Sequence, residues 1–241
     1  MRRLKNLLKA IPCVPFLYSS LLKGVQCARS MSTEKIFSEI YHKNHWGSDE
    51  SVSGTGSVLD QTAMIARELP RLLEELEAGT MLDIPCGDFN WMQGVNLRGI
   101  DYLGADIVNE LVLKNRESHG SSSVRFEHLN LLEDDLPTVD LIFCRDCLVH
   151  LSFKDIRRAL QNISRSQSKY LLVTTFTERS KNVDIATGQW RPINLQMPPF
   201  NLPAPIRVIS ENCSEGEGDY EDKVLALWKI EDVSQHIAAG S

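Results

Sequence analysis

Apolar residues recur along this chain with two different periods, and the switches between them divide it into elements. Helical spacing predicts a helix over 33–42. A Ser/Gly-rich loop, SDESVSGTGS, follows it. A longer amphipathic helix is expected over 59–78, with Leu69, Leu72, Leu73 and Leu76 on one face, Pro70 as a kink and Gly79 as the stop. Short apolar runs then alternate with helical stretches: strands at 81–85, 101–106, 124–129, 139–144 and 169–176, helices at 108–118 and 153–165. Strand–helix alternation of this kind predicts a doubly wound α/β sheet with its ligand sites just beyond the carboxyl ends of the strands. The segment 177–205 breaks the pattern. It holds five of the ten prolines and reads as a long ordered loop or lid. Strands at 206–210 and 223–230, joined by the acidic ENCSEGEGDYED, are expected to form a C-terminal antiparallel hairpin, which brings the count to about seven strands, mostly parallel.

Composition sets the class without changing this picture: 42% hydrophobic and 24% charged residues over 241 positions exclude disorder and allow a full core. No run of 18 apolar residues suggests a membrane-spanning helix. Charge is unevenly spread. The first 30 residues hold six cations and no acid, so that 20 cations remain against 32 anions over 31–241, a net of −12. That balance argues against nucleic acid and for a small-molecule or glycan-like partner. Residues 1–32 read as a basic leader or arm, 33–232 as one globular domain and 233–241 as a tail. The location expected is the cytoplasm, or an organelle if the leader is a transit peptide. Six cysteines with one C-x-x-C pair, Cys144 and Cys147, and no second pair or His partner exclude a zinc site; no metal is expected.

The chemistry concentrates at strand ends. After the first strand comes IPCGD, in the position where a Rossmann-like fold holds the middle of its cofactor. Pro85 has no N–H to give a phosphate, and Asp83 and Asp88 would repel one. Carboxylates there suit a ligand bearing a sulfonium and an ammonium, and Gly87 lets its backbone approach. Asp106, 23 residues beyond Asp83, ends the second strand at a spacing suited to both ribose hydroxyls. Asn130 follows the third strand within reach of an adenine edge, and CRDCLVHL follows the fourth.

These residues resemble a class I S-adenosylmethionine-dependent methyltransferase over about residues 35–232, within a subfamily marked by HWGSDESVSGTGS, LDIPCGDFNWM, YLGADIV, CRDCLVHLS, DIATGQWRPINL and PPFNLP. The general family's Asp-x-Gly-x-Gly-x-Gly loop keeps Asp83 and Gly87 here, with Pro85 and Phe89 at the outer glycines. The resemblance implies S-adenosylmethionine as cofactor, with Asp83 and Gly87 near its methionine part and Asp106 on the ribose. It also implies Asn130 and Leu131 near adenine, and Cys144, Arg145 and Asp146 beside the methyl group. Methyl transfer to an oxygen or nitrogen would proceed by in-line displacement, which needs positioning more than acid. A base is required only for a hydroxyl or protonated nitrogen, and Asp146 and His150 are the candidates. The proline-rich segment 177–205 and the SVSGTGS loop are expected to close over the cofactor, with Trp190, Arg191 and Asn194 lining the acceptor pocket. Two rivals remain at this stage, a cofactor-binding sensor without turnover and a nucleotide-sugar-processing enzyme. Structural roles compete residue by residue as well: Asp146 as a helix cap, His150 as a packed histidine, Trp91 and Trp190 as packing.

Overall fold

The computed structural model describes residues 31–239, so residues 1–30 of the basic leader lie outside the described residues. The chain forms helix α1 (Thr33–His42), helix α2 (Leu59–Glu75), strand β1 (Thr80–Asp83), strand β2 (Asp101–Asp106), helix α3 (Asn109–His119), strand β3 (Val124–His128), strand β4 (Leu141–Cys144), helix α4 (Phe153–Arg165), strand β5 (Tyr170–Phe176), strand β6 (Arg207–Ser210), strand β7 (Lys223–Lys229) and helix α5 (Ile230–Ala239). The strands make one sheet in the order β3-β2-β1-β4-β5-β7-β6. β1 to β5 run parallel, while β7 lies antiparallel to both β5 and β6. The Rossmann-like α/β architecture with its C-terminal hairpin is as the pattern predicts.

The central strands read as continuous apolar runs because both faces of the sheet are covered. Along β4, Ile142 and Cys144 enter one core with Leu82, Leu171, Val173 and the inner face of α4; Leu141 and Phe143 enter the other with Met81, Tyr102, Leu172 and α2. Single-residue alternation thus splits one strand between two cores. α2 runs through Pro70 and ends before Gly79: Glu77 takes a left-handed φ of 49°, and the Ala78 N–H returns to the Leu73 carbonyl at 2.9 Å, closing the helix without glycine. α5, in the stretch read as a tail, buries Ile230 and Val233 against the first core. Among the described residues no helix is long and apolar enough to cross a membrane.

The chain leaves β1 toward β2 on one side and reaches β4 on the other, so the sheet's switch point lies beside the carboxyl end of β1. Two adjoining cavities, about 140 and 320 Å³, open there.

Candidate functional site

The loop after β1 is fixed by the strands that flank it. Ile84 donates to the Phe143 carbonyl at 2.9 Å and Cys86 to the Ala105 carbonyl at 2.8 Å. Gly87 then turns with φ 54° and donates its N–H to Asp106 Oδ2 at 3.1 Å. Phe89, at a family glycine position, is a core anchor: its ring packs on Tyr102, Phe126 and His119 with centroids 5.1–5.4 Å away.

Asp83 and Asp106 both line the first cavity, and both are almost fully buried. Burial pushes the Asp83 carboxyl up to about 7, although the Tyr102 hydroxyl donates to it at 2.6 Å. Burial likewise raises Asp106 to about 6 against the N–H groups of Val108 and Gly87 that it accepts. Ile107, Val108, Leu111, Leu129, Leu131 and Leu132 make the apolar end of this cavity, with Asn130 beside them. The Asn130 Oδ1 accepts from Leu132 N–H at 3.0 Å. Asp88 also lines the cavity but is committed elsewhere: its carboxylate accepts from Ser51 Oγ, Val52 N–H and Ser53 Oγ at 2.8–3.2 Å, which docks the SDESVSGTGS loop onto the loop after β1.

The outer wall of this cavity was anticipated only in its SVSGTGS loop; the part that α1 and Trp46 play in it was not. Thr33, Phe37 and Tyr41 of α1, then Trp46, Val52, Ser53 and Ser57, cover it. α1 has no fully buried residue; Phe37 packs partly buried against the first core, and Glu110 of α3 accepts from Tyr41 at 3.2 Å and pairs with His42 at 2.9 Å.

Beyond β4, Cys144 is fully buried in the sheet and lines neither cavity, whereas Cys147 lines the first. Asp146 adopts a left-handed φ of 50°, with its N–H on Thr174 Oγ1 at 2.8 Å. Its carboxylate meets Lys223 Nζ at 2.7 Å and Arg145 at 3.3 Å. Burial alone would raise this acid, but the two cations overcome it and hold Asp146 down at about 2. Arg145 lines the first cavity, while its guanidinium pairs with Glu211 at 2.8 Å and donates to the Gly56 carbonyl at 2.8 Å. The buried partners Glu211 and Lys223 come from the C-terminal hairpin and were not anticipated.

His150 lines both cavities. Its Nδ1 lies 3.0 Å from the Gln189 carbonyl, which can only accept, so Nδ1 carries the proton and Nε2 holds the lone pair. Burial lowers the imidazole to about 4 and keeps it neutral at physiological pH. The ring lies against Trp46, tilted by 36° with centroids 4.9 Å apart.

Of the residues expected to contact an acceptor, Trp190 reaches the second cavity, with Phe176 and Tyr220. Arg191 and Asn194 line neither cavity. The Arg191 guanidinium donates to the carbonyls of Leu148, Val149 and Leu151 at 2.7–2.9 Å and so shapes the turn that carries His150. Asn194 ties the proline-rich segment to itself through the carbonyls of Thr177 and Arg179, at 3.3 and 3.0 Å. A buried fork of donors beside free carbonyls is a scaffold, which composition alone does not distinguish from a binding arginine.

Residues 82–168 match a family model described as a methyltransferase domain, a span that holds every residue discussed above from Asp83 to His150. No curated relative matches by sequence. Among solved structures the fold is similar to human N-acetylserotonin methyltransferase in complex with SAM, with TM-score 0.59 and 12% identity over 88% of this chain and 66% of that one. It is also similar to PigF with SAH, with TM-score 0.51 and 15% identity over 70% of this chain and 55% of that one. The chain thus spans about two thirds of the length of the first and just over half of the second. Residues 82–168 thus match the methyltransferase-domain model, and the chain as a whole has the Rossmann-like fold seen in these solved methyltransferases.

Proposed function

We propose that the chain binds S-adenosylmethionine along the first cavity and moves a methyl group to an oxygen or nitrogen of a small acceptor in the second. One observation carries this reading: the two cavities meet at Trp46, Ser53, Asp146 and His150, so that a neutral imidazole and an ionised carboxylate stand where donor and acceptor would face each other.

The residues present fit the cofactor. Asp106 uses one lone pair on each oxygen for backbone N–H groups and retains others for ribose hydroxyls. Asp83 supplies a buried acid toward the methionine part, and the apolar end with Asn130 suits adenine. S-adenosylmethionine, when bound, supplies a methyl carbon on a sulfonium that leaves without acid assistance. The protein's part is then alignment, desolvation and, for a hydroxyl or protonated amine, removal of one proton. His150 Nε2 takes that proton. Asp146, held ionised by Lys223 and Arg145, is too weak a base for the step, and its charge instead favours the imidazolium that forms.

The test is calorimetric titration of the full chain with S-adenosylhomocysteine, NAD and UDP, followed by turnover of His150→Gln. S-adenosylhomocysteine alone is expected to bind, and the variant is expected to keep that affinity while losing about 10²–10⁴-fold in turnover on an acceptor that must shed a proton. Binding of NAD or UDP in preference would overturn the assignment.

A further inference from the structure

The second cavity differs sharply in character from the first. One wall is aromatic. Phe176, Trp190 and Tyr220 pack edge to face with centroids 4.9–6.2 Å apart, and Trp46 stands with His150 at the junction. Opposite it, Asp146, Glu215 and Lys223 line the space beside the uncharged stretch 53–56.

Pairing distances locate the unbalanced charge. Five ionic groups cluster here, the acids Asp146, Glu211 and Glu215 and the cations Arg145 and Lys223. Lys223 stands 2.7 Å from Asp146 and 3.4 Å from Glu211, while Arg145 stands 3.3 and 2.8 Å from the same two acids. Both cations are thereby used. Glu215 has Lys223 only at 4.0 Å and otherwise accepts neutral hydrogen bonds, from the Thr55 hydroxyl at 2.6 Å and the Cys213 thiol at 3.8 Å. Behind it, Glu211 is buried and its Oε1 has no hydrogen-bond donor. The cluster therefore carries one surplus negative charge, centred on Glu215 at the aromatic side of the cavity. Gly56 keeps that charge uncovered, since a Cβ there would stand 3.2 Å from Asp146 Oδ2 and 3.3 Å from Glu215 Oε2.

From this we infer that the acceptor is a compact aromatic compound bearing a protonated amine, with its ring against Phe176, Trp190 and Tyr220, its ammonium at Glu215 and its reacting atom at His150. Aromatic faces attract flat rings and cations alike, and a desolvated acid selects against anions. Lys223 does not reverse this preference, because three acids already surround it. The inference rests on the methyl-transfer reading above and narrows its acceptor.

Three probes that share one phenol ring and differ in charge test it: tyramine, p-cresol and 4-hydroxyphenylacetate, titrated into the full chain saturated with S-adenosylhomocysteine. Tyramine is expected to bind at least tenfold tighter than p-cresol, with 4-hydroxyphenylacetate weakest. Glu215→Gln should remove the advantage of tyramine over p-cresol and leave p-cresol affinity as it was, while Trp190→Ala should weaken both. Equal affinity for the three probes, preference for the acid, or no binding of any probe while S-adenosylhomocysteine still binds would overturn the inference and leave the cofactor reading standing. Failure of S-adenosylhomocysteine itself to bind would overturn both.

Discussion

Asp83 and Asp106 are carboxylates placed where burial works against their charge, and the cost is recovered only when something positive or hydrogen-bonding arrives. With Asp83 at about 7, the free protein holds a proton there that a bound sulfonium and ammonium would expel. Affinity for S-adenosylmethionine is therefore expected to rise with pH up to about 7 and then level off, with proton release on binding between pH 5 and 7. Calorimetry in buffers of differing ionisation enthalpy measures that release, and Asp83→Asn should abolish it. The same shift has a stability sign. An acid whose folded value lies above its unfolded value of 3.8 favours the fold while protonated, so its contribution declines as pH rises from about 4 to about 7. His150, lowered from 6.5 to about 4, acts in the opposite sense, since the unfolded chain binds the proton that the folded one refuses. The two slopes oppose each other, and the quantity to compare is the melting temperature of Asp83→Asn minus that of the parent across this range.

At the scale of elements, the loop after β1 and the loop 51–57 are held together by a fit that tolerates no side chain at residue 87. A Cβ on Gly87 would stand 2.2 Å from Ser53 Oγ, and φ 54° adds about 1–2 kcal/mol of strain for any L-residue. Gly87→Ala is expected to push Ser53 off Asp88, lower S-adenosylhomocysteine affinity more than tenfold and leave the sheet intact by circular dichroism. Unchanged affinity would mean that the cover is not needed for binding. Much of this level was legible in the sequence. The parallel strands are buried on both faces and so announce themselves as apolar runs, and Gly87 and Asp106 stand at strand ends where the switch point puts them. The helical part of the cover was not legible, because α1 has no fully buried residue, and a helix held by partly buried Phe37 and by Tyr41, His42 and Glu110 leaves an ordinary amphipathic trace. Nor was the scaffolding role of Arg191, which depends on three carbonyls that lie 40–43 residues away along the chain.

Across the whole molecule, the largest discrepancy between sequence and structure concerns the acidic connector of the C-terminal hairpin. ENCSEGEGDYED has the composition of a solvated turn, yet its Glu211 is buried 2.8 Å from Arg145 of the β4 end, and Glu215 reaches the second cavity. Antiparallel addition of β7 to β5 brings this connector over the sheet's switch point, and only a topology that pairs residues 66 positions apart reveals it. The proline-rich segment likewise serves the core more than the site, with Ile193, Leu195, Phe200 and Leu202 buried beneath it. One span, residues 52–57, belongs to both cavities at once: Val52, Ser53 and Ser57 wall the first, while Ser53, Gly54, Thr55 and Gly56 wall the second. A shared wall gives the two occupants a route by which each can change the affinity for the other. If a ligand in the first cavity fixes this span, it sets the shape that the second ligand meets, and reciprocity requires the effect to run backward with equal size. The factor by which S-adenosylhomocysteine changes acceptor affinity should therefore equal the factor by which the acceptor changes S-adenosylhomocysteine affinity, and both should shrink toward one in Gly87→Ala, where the span is released from its anchor.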